Sequence, residues 1–337
     1  MFIDLLKSIL ERRTLTRGQA KAAMSFVMNG AATPAQIGAF LGALRVRGET
    51  YEELVGFAQA MRERALKVKV RREPLLDTCG TGGDDSGTFN ISTTVAFIAA
   101  GAGAAVAKHG NRSVSSRCGS ADVLEALGVK TLITPALMAR CVEEAGIGFL
   151  FAPSLHPALK HAGPVRQELR ARTVFNLLGP MSNPAGAARQ LMGVYAASLV
   201  PIVAKALAEL GSVEAIVVSS RDGMDEFSLS ATSVVAHVKR GKVRAYELDA
   251  RELGFKRSGL AALKGGSASK NAKILRAVLH GERGPARDVS LLNAAAALIA
   301  SGLAGDWKEG LERAAESIDS GRAATALGNL TRLSHAR

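Results

Sequence analysis

The sequence predicts an α/β protein with a small all-α N-terminal domain and a mainly parallel sheet that is flanked by helices and carries an antiparallel hairpin. Residues 1–72 contain helical patterns only. From Pro74 onward, short apolar runs alternate with helix-starting patterns, which is typical of parallel strands joined by crossover helices. Two later apolar runs separated by a short polar turn, Val234–Val238 and Val243–Leu248, predict the hairpin.

The N-terminal helices are predicted from their first residues. Three times, a threonine before a helical pattern is followed three residues later by glutamine or glutamate. This is the capping box, in which both side chains bond to free backbone N–H groups. The pairs are Thr16 with Gln19, Thr33 with Gln36, and Thr50 with Glu53. Gly30 and Gly48 end the first two of these helices, so a small helical bundle is expected.

The larger part follows a strand–helix alternation. Its predicted parallel strands are Leu75–Asp77, Ala104–Ala107, Ile147–Ala152, Leu191–Tyr195 and Ala215–Ser219. Its predicted helices are Ser92–Ala100, Ser120–Leu127, Pro135–Ala145 and Pro201–Leu210, with later helices starting at Ser267, Asp288 and Asp306. The segment 156–183 breaks the alternation and is interpreted partly as a return to the helical part. The predicted division is a helical domain of residues 1–72 plus about 166–189, and an α/β domain of residues 73–165 plus 190–337.

Composition and charge restrict the class of protein. The chain has 337 residues and a formal net charge of +13, which suggests nucleic-acid binding as one hypothesis. However, residues 73–165, which hold the glycine-rich loops, carry 6 Lys/Arg against 8 Asp/Glu, and aromatic residues make up only 4% of the chain. A nucleic-acid groove is therefore disfavoured. Neither a secretory signal nor a membrane-spanning run is recognisable, which predicts a cytoplasmic protein.

Two polar loops follow the first two predicted strands. The first begins with Gly80–Gly83 and continues to four hydrogen-bonding side chains, those of Thr88, Asn90, Ser92 and Thr93. It is not a P-loop, and it fails the GxGxxG pattern because Asp85 occupies the last glycine position. The second loop, Lys108–Ser116, combines a cation, an imidazole, an amide and three serines. Strand–loop–helix units direct backbone N–H groups towards one point, so two of them predict a ligand with two phosphate groups.

A third loop, Asp222–Glu226, follows the predicted strand Ala215–Ser219 and should reach the same edge of the sheet. The carboxylates of Asp225 and Glu226 would repel a phosphate, whereas Mg²⁺ binds carboxylate and phosphate oxygens together. The pair therefore predicts a Mg²⁺ site. Arg166, judged by sequence alone, is a surface arginine, although a guanidinium can also hold a carboxylate. No recognised nucleophile motif is present, so covalent catalysis is not indicated.

These motifs together closely resemble the anthranilate phosphoribosyltransferase family. They are GTGGD at 80–84, TFNIST at 88–93, KHGNR at 108–112, GSADVLEALG at 119–128, HPALKHAGPVR at 156–166, RTVFNLLGP at 172–180 and DGMDE at 222–226. The resemblance covers nearly the whole chain. It implies a nucleoside phosphorylase/phosphoribosyltransferase-like fold that is usually dimeric through its helical part. The implied reaction joins anthranilate to 5-phosphoribosyl 1-pyrophosphate (PRPP), giving N-(5-phosphoribosyl)anthranilate and pyrophosphate in the second step of tryptophan synthesis from chorismate.

The resemblance implies site residues motif by motif. Those implied to surround PRPP are Gly80, Gly83, Asp84, Thr88, Asn90, Ile91, Ser92, Thr93, Lys108, His109, Gly110, Asn111, Arg112, Ser113, Val114, Ser115, Ser116 and Ser120. Mg²⁺ would be held by Ser92, Asp225 and Glu226. Anthranilate would contact Gly80, Asn111 and Arg166, with Arg166 on its carboxylate. The implied catalytic residues are Lys108, Asn111 and Arg166. Asp85 departs from the family, which more often has glycine there, and it adds negative charge beside the pyrophosphate loop.

Two alternatives stay open. A catalytically silent relative of this fold could bind nucleic acid through residues 251–287, which hold nine Lys/Arg against two acids. A pyrimidine nucleoside phosphorylase would have a similar fold and attack the same sugar carbon with phosphate. Asp225, Glu226 and Arg166 argue against the first alternative, and the KHGNR and FNLLGP motifs argue against the second.

Overall fold

The computed structural model describes residues 2–113 and 117–336, so the expected ligand residues Val114, Ser115 and Ser116 lie outside the described residues. The strands are β1 Leu75–Asp77, β2 Ala105–Gly110, β3 Ile147–Phe151, β4 Arg189–Gly193, β5 Glu214–Ser220, β6 Ser233–Lys239 and β7 Lys242–Leu248. The α-helices are α1 Phe2–Leu10, α2 Arg17–Met28, α3 Pro34–Arg47, α4 Tyr51–Arg64, α5 Ile91–Gly101, α6 Ser120–Ala126, α7 Pro135–Ala145, α8 Ala152–Leu155, α9 Gly163–Leu169, α10 Val174–Leu178, α11 Val200–Glu209, α12 Ala268–Leu279, α13 Pro285–Ser301, α14 Trp307–Asp319 and α15 Arg322–Ser334.

The seven strands form one sheet in the order β3-β2-β1-β4-β5-β6-β7. Strands β1 to β5 are parallel, whereas β5 with β6 and β6 with β7 are antiparallel. In the central register, Leu76 lies opposite Val106 on one side and Arg189 on the other. This mainly parallel sheet with one hairpin, preceded by helices, confirms the predicted fold class.

The sheet topology determines where a ligand can bind. The chain runs outward from β1 through β2 and β3, and then returns to the opposite side of β1 to form β4 and β5. The direction of strand addition therefore reverses next to β1. In open α/β sheets the loops at the carboxyl ends of strands separate at such a point and leave a crevice. The three loops singled out in the sequence follow β1, β2 and β5, so they end at this edge.

The N-terminal helices pack as a bundle whose three predicted capping boxes are confirmed. In each, the threonine hydroxyl accepts from the N3 backbone N–H while the N3 side chain accepts from the threonine N–H. A cap of this kind contributes about 1 kcal/mol. Phe40 and Phe57 meet edge to face in the bundle core, with ring centroids 5.8 Å apart. Helix α9 packs against α3 and α10 against α4, so the segment after β3 does return to the bundle. The domain limits stay a prediction.

Several element limits differ from those predicted. Strand β2 extends to Gly110 instead of ending at Ala107, because Lys108, His109 and Gly110 pair with Phe149, Leu150 and Phe151 of β3. These three residues of the predicted loop are therefore buried in the sheet. Helix α13 begins at Pro285 instead of Asp288. No start was predicted for α15, since it follows a left-handed glycine, Gly321, and has no capping side chain.

Candidate active site

A cleft with a cavity of about 200 Å³ opens at the carboxyl edge of β1, β2, β4 and β5. Twelve of the predicted ligand residues line it: Gly80, Gly83, Asp84, Thr88, Asn90, Ser92, Thr93, Lys108, His109, Ser120, Asp225 and Glu226. Gly82 and Glu226, 144 positions apart in the sequence, open onto this same cavity. The predicted meeting of the first and third loops at one sheet edge is therefore observed.

The glycine-rich loop after β1 lines the cleft in a conformation that side chains disfavour. Gly82, Gly83 and Gly87 have φ of 60°, 70° and 65°. Glycine adopts these values without the steric cost that a Cβ imposes. The Gly82 N–H donates to the Asp225 carboxylate at 2.9 Å. A Cβ on Gly80 would lie 3.1 Å from both Asp225 Oδ2 and the Gly193 carbonyl oxygen. The loop thus packs closely against the third loop.

Helix α5 points its N-terminus into the cleft. Its N-cap residue, Asn90, makes no side-chain cap; the Asn90 amide donates to the Cys118 carbonyl at 3.1 Å and accepts from Asn271 at 2.9 Å. The hydroxyl of Thr93 is buried without a hydrogen-bond partner among the described residues. Backbone N–H groups at an uncapped helix start, together with a free buried hydroxyl, form a favourable environment for an anion such as phosphate.

Lys108 brings a buried positive charge to the end of β2. Its ammonium donates to the Thr78 carbonyl at 3.3 Å, to the Thr78 hydroxyl at 3.2 Å and to the Ser92 hydroxyl at 3.4 Å. Burial lowers the pKa of Lys108, and the nearby carboxylates of Asp77, Asp225 and Glu226 oppose that shift. Because these carboxylates favour the charged form, the ammonium is available to neutralise an anionic ligand.

Three carboxylates meet at the same cavity. Oxygen atoms of Asp84, Asp225 and Glu226 all lie within 4.8 Å of one another. Burial, with the charge of Asp84 second, raises the pKa of Asp225 to about 7. The pKa of Glu226 is raised well above its usual value by burial and by both aspartates, while the Ser92 N–H acts in the opposite direction. Acidic groups that destabilise one another in this way, and that offer only oxygen atoms, fit a hard divalent cation such as Mg²⁺. Asp84 was predicted from the sequence to contact PRPP, and its position beside Asp225 and Glu226 was not predicted.

His109, which lines the cavity, forms a buried pair with His156, with ring centroids 5.1 Å apart. His109 Nδ1 is 3.0 Å from the Gly179 carbonyl, which can only accept, so the proton lies on Nδ1. Its Nε2 and both ring nitrogens of His156 have no partner within the described part of the chain. Burial lowers the pKa of His109 to about 3 and that of His156 to about 4, so both rings are neutral at pH 7.

Other predicted residues lie outside the cavity lining. Asn111 is exposed, and the Arg112 guanidinium binds Glu125 at 2.6 Å and Asp122 at 3.3 Å, away from the cleft. The Ser113 N–H donates to Asp122 as well. Ile91 and Gly110 are buried in α5 and β2, respectively.

Arg166 also lies outside the lining. It is half-buried on α9, with its guanidinium 5.1 Å from the ring centroid of Phe175. Burial lowers its pKa. Within residues 2–113 and 117–336, no carboxylate pairs with it.

Sequence reasoning missed three residues that shape this site. The backbone of Gly193 touches the third loop, since a Cβ there would lie 1.4 Å from the Asp225 carbonyl oxygen. Arg172 donates to the Gly83 carbonyl at 2.6 Å, and Tyr195 donates its N–H to the Thr81 hydroxyl at 3.2 Å. Arg172 lies in the RTVFNLLGP motif, which marked this segment as similar to the family. Nothing in the neighbouring sequence, however, indicates that Arg172 contacts the first loop.

None of the helices in the described ranges combines the length and apolar character needed to cross a bilayer.

Comparisons with known proteins agree with this geometry. Residues 3–65 match the model of the glycosyl transferase family helical bundle domain, and residues 72–324 match that of the glycosyl transferase family a/b domain. The anthranilate phosphoribosyltransferase of Symbiobacterium thermophilum is 52% identical over 331 residues, covering 98% of this chain and 97% of that protein.

Two solved structures have the same fold over almost the whole chain. The anthranilate phosphoribosyltransferase of Thermus thermophilus superposes with a TM-score of 0.92 at 44% identity, covering 99% of this chain and 100% of that one. The enzyme of Saccharomyces cerevisiae, solved in complex with PRPP and Mg, gives a TM-score of 0.89 at 28% identity, covering 99% and 97%. The chain therefore belongs to the anthranilate phosphoribosyltransferase family of glycosyl transferases.

Proposed function

We propose that the cleft is the catalytic centre in which the phosphoribosyl group of PRPP is transferred to the amine of anthranilate. The activity of this chain is phosphoribosyl transfer to anthranilate, giving N-(5-phosphoribosyl)anthranilate and pyrophosphate, a step of tryptophan biosynthesis. One observation supports placing the catalytic centre in this cleft. The ammonium of Lys108, the start of α5, which has no side-chain cap, and three carboxylates all lie around one cavity. The silent nucleic-acid binder and the nucleoside phosphorylase are not favoured, since relatives matching nearly the full length carry the anthranilate activity.

PRPP would lie along the cavity with its phosphate groups against the glycine-rich loop and the start of α5. Ten of the residues proposed to contact it line the cavity: Gly80, Gly83, Asp84, Thr88, Asn90, Ser92, Thr93, Lys108, His109 and Ser120. The others are Ile91, Gly110, Asn111, Arg112 and Ser113, with Val114, Ser115 and Ser116 outside the described residues. Thr93 supports this arrangement because its buried hydroxyl has no other partner in the described ranges. A phosphate oxygen would supply that missing hydrogen bond.

Mg²⁺ would be held by Ser92, Asp225 and Glu226, and the position of Asp84 adds a fourth candidate ligand. Ser92 supports its own assignment, since it lines the same cavity as the acids and its N–H lies beside Glu226. When bound, Mg²⁺ supplies positive charge that offsets the charge developing on pyrophosphate as it leaves.

The chain's own residues would act by positioning and electrostatics. The C1–O bond of the ribose breaks and pyrophosphate leaves with the bonding electron pair. The amine nitrogen of anthranilate forms a new bond to C1 and then loses one proton to water. Lys108 would place a positive charge near the leaving group. Gly80, Asn111 and Arg166 would contact anthranilate, with the Arg166 guanidinium on its carboxylate. A half-buried guanidinium that has no carboxylate partner in the described chain supports this role. Holding the acceptor beside C1 would supply much of the rate enhancement.

The assembly is proposed to be a cytoplasmic homodimer formed through the helical part. Exposed apolar side chains on two N-terminal helices support a partner surface there: Leu10 on α1 is 58% exposed and Val46 on α3 is 79% exposed. The helical location agrees with the family resemblance.

The direct test is to incubate the purified chain with anthranilate, PRPP and Mg²⁺ while following anthranilate fluorescence. Fluorescence should fall only in the complete mixture, and chelation of Mg²⁺ or replacement of PRPP by ribose 5-phosphate should abolish the loss. No loss in the complete mixture would refute the function. Loss that continues undiminished after chelation would refute the metal assignment while leaving the transfer reaction intact.

A further inference from the structure

Arg172 links the segment between α9 and α10 to the glycine-rich loop after β1. Its Nη1 donates to the Gly83 carbonyl at 2.6 Å, across 89 positions of sequence. The same guanidinium lies over the Tyr195 ring, 4.8 Å from the ring centroid, and its Nη1 is 4.0 Å from the Asp85 carboxylate. The Arg172 side chain is 35% exposed and does not line the cavity. It therefore holds the loop from outside the site.

The loop needs to be held because its backbone is costly to order. Gly82, Gly83 and Gly87 have positive φ, and so does Asp85, at 58°. Glycine residues lose the most conformational freedom on folding, and a non-glycine residue in the left-handed region is strained as well. On the cavity side, Gly82 bonds to Asp225, and the Asp225 N–H donates to Asp84 at 3.4 Å. On the outer side, the Gly83 carbonyl is held by Arg172.

Tyr195 makes the attachment stronger than a single hydrogen bond. Its N–H donates to the hydroxyl of Thr81, at the start of the loop, while its ring supports the Arg172 guanidinium. Arg45 of α3 approaches the same ring at 5.8 Å. A planar guanidinium can stack on an aromatic ring while its edge donates a hydrogen bond, and a lysine ammonium cannot combine the two.

We propose that Arg172 is a positioning residue that sets the affinity for PRPP by fixing the glycine-rich loop, without touching the ligand itself. The inference rests on the proposed function of the cleft. With the Gly83 carbonyl fixed, Gly82 keeps its hydrogen bond to Asp225, and Asp84 stays within the carboxylate cluster. Without that restraint, PRPP must order the loop as it binds, and the ordering cost reduces its apparent affinity.

The test compares Arg172→Ala, Arg172→Lys and Arg170→Gln with the wild type by steady-state kinetics. Arg170 is a matched control, since it lies two residues away and its side chain is exposed. In Arg172→Ala, the KM for PRPP should rise on the order of tenfold, the worth of one charged hydrogen bond. The KM for anthranilate should change less than twofold. Arg172→Lys should fall between wild type and alanine because it keeps the donor but loses the stacking. Arg170→Gln should match the wild type.

The outcomes separate this inference from the proposed function. An inactive wild type would refute the proposed function itself. An active wild type with an unchanged KM for PRPP in Arg172→Ala would refute the inference alone. Equal rises in both KM values, or a lower thermal midpoint with unchanged KM values, would show a general structural role and would also overturn it. Calorimetric titration of folded Arg172→Ala with PRPP and Mg²⁺ should reproduce the tenfold loss as a weaker Kd.

Discussion

The backbone N–H of Gly82 donates a 2.9 Å hydrogen bond to the carboxylate of Asp225, across 143 positions of sequence. The bond joins the loop after β1 to the loop after β5. It also uses one oxygen of a carboxylate whose pKa is raised to about 7 by burial and by Asp84. The glycine-rich loop and a carboxylate of the proposed metal site thus share one contact. A substitution that disrupts either loop should therefore weaken the binding of both PRPP and Mg²⁺.

The first prediction concerns the metal site. Replacing Asp225 with Asn and Glu226 with Gln leaves the shape of the site but removes both charges, so the Mg²⁺ concentration for half-maximal rate should rise on the order of tenfold or more. The measurement is a magnesium titration of the anthranilate fluorescence assay. Asp222→Asn is the matched control, because this neighbouring acid bonds to Ser228 instead of joining the cluster. An unchanged magnesium titration in the double variant would show that Asp225 and Glu226 do not bind Mg²⁺.

The second prediction concerns Lys108. Lys108→Met keeps the buried aliphatic stem but removes the ammonium that reaches Thr78 and Ser92. Loss of one charged group that faces the reacting atoms costs about 3 kcal/mol of transition-state stabilisation. We therefore expect kcat/KM to fall on the order of a hundredfold. Thermal unfolding should show a folded protein, and Lys130→Met, at an exposed lysine, should keep full activity. Near-normal turnover in Lys108→Met would count against its catalytic role.

The third prediction follows from the close approach of Gly193 to the third loop. A Cβ at this position would lie 1.4 Å from the Asp225 carbonyl oxygen, a distance that no side-chain rotation can relieve. Gly193→Ala should therefore displace Asp225 and lower kcat/KM at least about tenfold, at a stability cost of roughly 1–3 kcal/mol. Gly328→Ala, in α15 where no atom beyond the local helix backbone lies within 4 Å of the added carbon, should be neutral or slightly stabilising. Equal activity and stability in both variants would contradict the contact.

The sequence identified those parts of the fold and site that depend on local chemistry. Thr16, Thr33 and Thr50 cap their helices as predicted, since a capping box involves only four consecutive residues. Likewise, Ser92 and Glu226 follow separate parallel strands, and a common sheet edge brings them to one cavity.

The parts that were missed depend on contacts between distant segments. The extension of β2 through Lys108 depends on its pairing with β3, and the contact of Arg172 with Gly83 depends on how α9 and α10 pack. Gly193 gave no local signal of its contact with Asp225. Such contacts become visible only when the chain is folded.

The fourth prediction concerns Asp85, which is interpreted from the sequence as a departure from the family pattern. Its carboxylate is 78% exposed beside the glycine-rich loop and its φ is +58°. Asp85→Asn removes the charge and tolerates this φ, so the KM for PRPP should fall roughly two- to fivefold at low ionic strength. Asp85→Gly should do the same and also relieve the backbone strain. Since an exposed charge is screened by salt, the gain should shrink at high ionic strength. A KM that is unchanged at low salt would show that Asp85 does not act on the ligand.

The last prediction concerns the pH dependence of stability. Burial holds the pKa of His156 at about 4, whereas an unfolded chain protonates histidine near 6.5. Between those values the unfolded chain binds a proton that the folded chain does not, so stability is lost as the pH falls from about 6.5. His156→Phe removes this proton. From pH 8 to pH 5, the free energy of unfolding should therefore fall about 2 kcal/mol less in His156→Phe than in the wild type. Urea unfolding at several pH values measures the difference, and His280→Phe, at an exposed histidine, should follow the wild type. Parallel curves for the wild type and His156→Phe would mean that His156 does not remain neutral in the folded protein.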